Sequence, residues 1–239
     1  GISAEFMMNF SADNVIRVSA TPIQNDAALK YEIPEVEVIA SGLITSAMYV
    51  NDGVSDEVET DMSNEYSYLV DLAINKRDEI QKEYDKLNKR IRPLVIIQFP
   101  DSSNDRIEDV EKLLEERGYS YDNGFVAKWL SEDKKNIDGI EAIDGTPLFL
   151  LWKQALSTGW DCPRAKILVK LRDNMSDSFE IQTIGRIRRM PEAKHYNNEL
   201  LNNCFMYTFD EEWKEKALKE PTSFETRRVF IKNEGKELI

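Results

Sequence analysis

Pro147–Trp152 (PLFLLW), Lys166–Leu171 (KILVKL) and Cys204–Phe209 (CFMYTF) are three short apolar runs, and a stretch of helical character, Phe179–Arg189, lies between the last two. Runs of this kind, bounded by polar segments, are the pattern of strands covered on both faces. A strand, a helix and another strand in succession make a crossover, which is what joins parallel neighbours in a sheet. The pattern predicts an α/β domain with a mainly parallel sheet flanked by helices.

The same alternation extends toward the N-terminus. Leu94–Phe99 (LVIIQF) follows Pro93 as a further buried strand, and a polar loop, Asp101–Asp105, leads to a helix at about Arg106–Arg117 that Gly118 ends. Across Asn64–Arg90 the apolar residues Tyr66, Leu69, Val70, Ala73, Ile74, Ile80, Tyr84 and Leu87 recur at helical spacing, with Ser63 as N-cap and a polar face rich in Lys and Glu. This gives a helical insertion at about 62–90. Asp52–Asp61 reads as an acidic loop. Val15–Ser19 (VIRVS) is a short β-branched run that Ala20-Thr21-Pro22 ends, and Pro34 opens a second run, Val36–Ala40, closed by Ser41-Gly42. Residues 211–239 form a charged C-terminal extension. Gly1–Phe6, ahead of Met7, reads as a cloning scar.

The 239 residues suffice for one sizeable core, and 41% hydrophobic with 31% charged residues suits a soluble globular chain. No apolar run approaches the ~18–20 residues of a membrane span, so no membrane partner is expected. Two cysteines, Cys162 and Cys204, make no disulfide framework and suit a reducing cytoplasm. A net charge of −13 argues against a general nucleic-acid glove. From Gly145 to His195, however, nine Lys/Arg face five acids, a net +4 that leaves −17 for the rest. Phosphate contact is expected from that stretch.

Three segments carry chemistry: Ser19-Ala20-Thr21-Pro22 at a strand end, Ala155–Pro163 (ALSTGWDCP) after a strand, and Gln182–Pro191 (QTIGRIRRMP) on a helix. Singly, the first could be any strand-to-turn exit, and the third a solvated basic helix face. In order and spacing they resemble motifs III, V and VI of superfamily 2 helicases. The likeness is above all to the helicase subunit of type III restriction enzymes and its DEAD/DEAH-like relatives. There, A-L-x-x-G-W-D-x-P is followed some twenty residues on by Q-x-x-G-R-x-x-R. Leu94–Phe99 falls where motif IV should. The resemblance spans about Val15 to Phe209 and implies the second RecA-like (P-loop NTPase-like) helicase domain over residues 23–210. Residues 7–22 would then end a first RecA-like domain.

Phosphoryl transfer needs cations on the developing γ-phosphate charge, and an arginine finger from a facing domain supplies one. Helical positions three apart share a face, so Arg186 and Arg189 point together and Arg188 turns away. The resemblance implies that Arg186 and Arg189 meet the ATP phosphates, with Gln182 orienting the site. It places Gly185, Gly159 and Asp161 at the nucleotide, Gly159 because it lets backbone approach a ligand. Lys153, Ser157 and Thr158 would grip DNA phosphates, and Arg188 would be a surface or DNA-facing charge. Trp160 either stacks on a base or forms a core or cleft wall, the second reading being favoured. Cys162 reads as structural. Ser19 and Thr21 match motif III, which couples nucleotide state to DNA grip.

No G-x-x-x-x-G-K-[ST] occurs, so ATP and Mg2+ would be held mostly by a first RecA-like domain in cis, absent here. Further implied partners are DNA and a modification (methyltransferase) subunit. Cys204–Phe209 with Asp210-Glu211 mimics a Walker B strand, but in the wrong place. Glu212-Trp213-Lys214 is a poor nuclease candidate, and the lone His195 makes no metal site. Two other readings stay open: a helicase-derived DNA-binding or interaction module without catalysis, and a helicase of this kind without a nuclease.

Overall fold

A sheet of seven strands organises the chain in a computed structural model that describes residues 31–54, 62–100, 104–130, 133–153, 160–171 and 183–210. The residues from Ile33 onward belong to one compact unit. In chain order its elements are α1 (Glu35–Ala40), β1 (Ala47–Val50), α2 (Met62–Lys86), β2 (Leu94–Gln98), α3 (Asn104–Glu116), β3 (Val126–Trp129), β4 (Lys134–Lys135), β5 (Phe149–Trp152), β6 (Ala165–Lys170), a 3-10 turn (Leu200–Asn202) and β7 (Asn203–Thr208). The strand order is β1-β7-β6-β2-β5-β3-β4. Every pairing is parallel except β3 with β4. The expected α/β class with a mainly parallel, helix-flanked sheet is thus what the chain adopts.

Alternation along the strands sorts their side chains into two core layers. Val95, Ile97, Phe149, Leu151, Ile167 and Val169 face one way, under α2 and α3, and meet Leu69, Ala73, Ile80, Val110 and Leu114. Leu94, Ile96, Leu150, Leu168, Cys204 and Met206 face the other way, toward Trp160, Cys162 and Ile187. Every residue of β2, β5, β6 and β7 is buried, as a sheet covered on both sides requires. The apolar stripe read over Asn64–Arg90 is the inner face of α2, a full layer of the core. Its first residue is Met62, so Ser63 lies inside the first turn and not at the cap.

One run departs from expectation. Val36–Ala40 lies in helix α1, whose N-cap is Pro34 (φ −57, ψ 134) and whose first turn holds Glu35 and Glu37. Acids at the N-terminus complement the helix dipole. Ser41 and Gly42 close it, with Gly42 N donating to Ile39 O at 2.9 Å. Gly42 sits at φ +77, and a Cβ there would lie 2.8 Å from Lys194 Cα, so only glycine fits. Acids in the first turn and the Ser41-Gly42 closure go with a helix here in spite of the β-propensity of the EVEVIA sequence. Strands β1, β3 and β4 carried no clear period. Val15–Ser19 lies outside the described residues.

Candidate functional site

Trp160, Asp161 and residues 183–190 come together on the face opposite α2 and α3. Residues 183–187 are helical. The helix stops where Ile44 forms an antiparallel bridge to Arg189. Thr45 N donates to Arg188 O at 2.6 Å and Met190 N to Leu43 O at 3.0 Å. Arg188 and Arg189 therefore sit just past the helix, not within it as the range Phe179–Arg189 had them.

Arg186 and Arg189 both turn toward Trp160-Asp161. The Arg186 guanidinium carbon lies 5.6 Å from the centre of the Trp160 ring, and Nη1 donates to Trp160 O at 2.8 Å. Partial burial lowers the basicity of this guanidinium, the charge of Arg189 adds to the effect, and Asp161 opposes it. Arg189 pairs with Asp161 at 2.5 Å, the two side chains being 47% and 49% exposed. Trp160 is 5% exposed and belongs to the core. Its Nε1 is buried without a hydrogen-bond partner. Gly185 is exposed, and a Cβ on it would meet nothing within 4 Å. The packing of the fold therefore does not itself require glycine there.

Arg188 is placed differently from the expectation of a surface charge. It is 7% exposed, and its guanidinium makes an ion pair with Glu35 of α1. The turn that carries Arg186 and Arg189 outward carries Arg188 inward. The net-positive stretch as a whole is corrected likewise. Arg164, Lys166, Lys170 and Arg188 are all buried, which leaves Lys153 and Arg186 half-buried and Arg189 and Lys194 exposed among the described residues. Lys153 follows β5 directly. Gln182, Gly159, Ser157, Thr158, Ser19 and Thr21 lie outside the described residues.

Two polar features had only a faint sequence signal. Trp152, Gln98, Lys170 and Thr208 stand in register across the C-terminal ends of β5, β2, β6 and β7. Both amide atoms of Gln98 are buried and without a hydrogen-bond partner. Lys170 Nζ meets Asp210 Oδ2 at 2.5 Å. That pairing occupies the carboxylate of the Walker B mimic. The signal was one polar residue next to the end of each apolar run, Gln98 in LVIIQF and Lys170 in KILVKL. The second feature is Arg164, a buried clamp at the N-terminal ends of the strands. Its Nε donates to Ile140 O and its Nη1 to Arg92 O and Pro147 O, each at 2.9 Å.

Cys162 donates to Ile140 O at 3.4 Å, and burial pushes its thiol up to about 11. His195 Nε2 contacts Ile44 O at 2.8 Å. Among the described residues no group of three or more His, Cys, Asp and Glu could hold a metal ion, and no helix is long and apolar enough to cross a membrane.

No family model and no curated protein matches the chain. Solved structures do match. One of them is the C-terminal domain of Dbp5 from S. cerevisiae, bound to Gle1 and IP6, at 15% identity and a TM-score of 0.41, covering 77% of this chain and 89% of that one.

Proposed function

We propose that this chain is the second RecA-like domain of an ATP-dependent DNA helicase or translocase of the type III restriction kind. In this reading it supplies Arg186 and Arg189 to the phosphates of an ATP held largely by a first domain. The observation that carries the reading is the outward pairing of Arg189 with Asp161, beside an Arg186 braced on Trp160. A charge that must stabilise a transition state has to be held in place beforehand and still be reachable. Arg186 is held by stacking and by a backbone carbonyl. Arg189 is held by an exposed carboxylate, a partner that phosphate oxygens can displace. A Cβ on Gly185 would meet nothing within 4 Å.

ATP with Mg2+ is the cofactor of this reading. When bound it supplies the phosphoryl group and the metal that neutralises it. The part of this chain is charge and orientation, with Gln182, Gly159 and Asp161 at the same site. DNA, a first RecA-like domain in cis and a modification subunit are the proposed partners, and the cytoplasm is the proposed compartment. With Arg188 buried, the proposed DNA grip is Lys153, Ser157 and Thr158, with Ser19 and Thr21 in the coupling role.

The deciding experiment is DNA-stimulated ATPase turnover in a protein that joins this chain to a P-loop domain. Arg186→Ala and Arg189→Ala should each lower turnover by about 10³-fold or more, the scale of an arginine finger. Full activity in both variants, or robust hydrolysis by the 239-residue chain alone, overturns the reading.

A further inference from the structure

Arg189 is not carried by a helix. The helical residues end at 187, although Arg188 N still donates to Ile184 O at 3.2 Å. From there the course of the backbone is fixed by another part of the chain, residues 42–45. Thr45 N bonds to Arg188 O and Met190 N to Leu43 O, on either side of the bridge between Ile44 and Arg189. His195 Nε2 meets Ile44 O at 2.8 Å. Gly42 lies so close to Lys194 that a Cβ would come within 2.8 Å of its Cα. Residues 42–45 thus form a strap between residues 188–190 and 194–195.

The strap is anchored at both ends. After Thr45 the chain enters the sheet, where Ser46 N donates to Asn202 O at 2.7 Å and Thr45 Oγ1 lies 3.5 Å from Cys204 Sγ. Before Gly42 stands α1, whose first residue, Glu35, pairs with the Arg188 guanidinium. The side chains of that pair are 9% and 18% exposed, against 47% and 49% for Arg189 and Asp161. An ion pair in water holds little. A mostly buried one resists opening, because each charge would be left alone in the interior. The guanidinium that points outward is therefore held weakly by its own partner, and its neighbour that points inward is held firmly.

The two anchors differ in strength. The sheet end is part of the core, whereas α1 buries none of its own residues, and Val36 and Leu43 stand 70% and 53% exposed. Elements with few buried apolar contacts open at low free-energy cost. A pair that ties such an element to its surroundings also transmits its displacement. If α1 moves, Arg188 follows, and so does the peptide that carries Arg189.

We propose that Glu35 is a positioning residue. Through Arg188 it holds the turn that aims Arg189 at Asp161, so the seating of α1 sets how far Arg189 is preorganised. The bearing on ATP turnover rests on the role proposed above for Arg189, and the geometric part is independent of it.

The test reads the order of the Arg189 guanidinium in the 239-residue chain, through the heteronuclear NOE of its Nε–Hε signal in 15N NMR spectra. The exposed Arg90 is the reference for a solvated arginine. Arg189 should be well ordered in the parent and should fall to the level of Arg90 in Glu35→Gln. Arg188→Gln should have the same effect, and the double variant no more than either single one, since the two residues act as a pair. Asn51→Ala, which loses two hydrogen bonds to Thr208, is a destabilised control and should keep Arg189 ordered. In the protein joined to a P-loop domain, Glu35→Gln should lower kcat by roughly tenfold or more with KM for ATP unchanged, the signature of a misplaced group.

If Arg188→Gln does not fold, Glu35→Gln against Asn51→Ala carries the test. Arg189 as ordered in Glu35→Gln as in the parent, equal loss of order in Asn51→Ala, or losses that add in the double variant overturn the proposal. So does an unchanged kcat in Glu35→Gln where Arg189→Ala is inactive. Full turnover in Arg189→Ala, with Arg189 order still lost in Glu35→Gln, overturns the ATP reading alone.

Discussion

Arg188 reaches back across the fold to Glu35, so that the first residue of α1 is locked to the segment that presents Arg186 and Arg189. Helix α1 buries none of its own residues, and this pair ties its first turn to the segment after the 183–187 helix. Removing one partner of a mostly buried pair leaves the other charge uncompensated. Glu35→Gln is expected to cost about 1–3 kcal/mol, the scale of an unsatisfied charged group. Urea denaturation should show the lower midpoint, and amide exchange in α1 should quicken. An unchanged midpoint would mean that other contacts of Arg188 suffice.

The other acidic partner behaves in the opposite way. Asp161 and Arg189 are both about half exposed, and ion pairs in water contribute ~0–1 kcal/mol. Asp161→Asn should therefore leave the thermal midpoint nearly unmoved while lowering ATP turnover in the protein joined to a P-loop domain. A drop of several degrees in the midpoint would identify the pair as structural and sink this division of labour.

Lys166 is fully buried, its ammonium 3.5 Å from Met190 Sδ and without a carboxylate partner among the described residues. Burial pulls its pKa from 10.5 down to about 8. Between those values the unfolded chain binds the extra proton, so stability rises with pH across that window. Below about pH 8 the full penalty of burying the charge applies, about 3 kcal/mol by the conversion from pKa to free energy. The buried tyrosines Tyr84 and Tyr207, whose pKa values burial raises, act in the opposite direction above the tyrosine range. Lys166→Met is expected to be more stable than the parent at pH 7 and to lose the gain in stability between pH 8 and 10. Guanidinium denaturation at pH 7 and pH 9.5 decides it. A parent chain whose midpoint falls over that interval contradicts the assignment.

Asn51 extends the β1–β7 ladder with its side chain. Its Nδ2 donates to Thr208 O and its Oδ1 accepts from Thr208 N, both at 2.9 Å, while its backbone stands at φ 55. Asn51→Ala loses both bonds and keeps an unfavourable backbone, for a cost of about 2–4 kcal/mol. Asn51→Gly loses the bonds but relieves the backbone, and should be the milder change by about 1 kcal/mol. Calorimetry of the two variants gives the order, and a reversed order refutes the backbone part of the argument.

The central strands were legible because burial on both faces leaves few polar residues in them, as in LVIIQF and KILVKL. The edges were not. Strand β1 (Ala47–Val50) is half-buried and short, so neither period reaches significance in four residues. Val36–Ala40 alternates like a strand, yet it folds as a helix closed by Ser41 and Gly42. The shared direction of Arg186 and Arg189 was expected from helical spacing, but Arg189 lies past the helix, in the bridge to Ile44, and is turned to the same place by its pair with Asp161. The fate of Arg164, Lys166, Lys170 and Arg188 could not be read, because a count of charges carries no information about burial. In a strand pattern a lysine looks the same whether it faces water or, like Lys166, the core.

The two-residue strand β4 has a consequence for assembly. It pairs antiparallel with β3 at the rim of the sheet and consists of two exposed lysines. A rim so short and so cationic offers an incoming strand almost no backbone to pair with and two ammonium groups to displace. Growth of the sheet from molecule to molecule is opposed on that side.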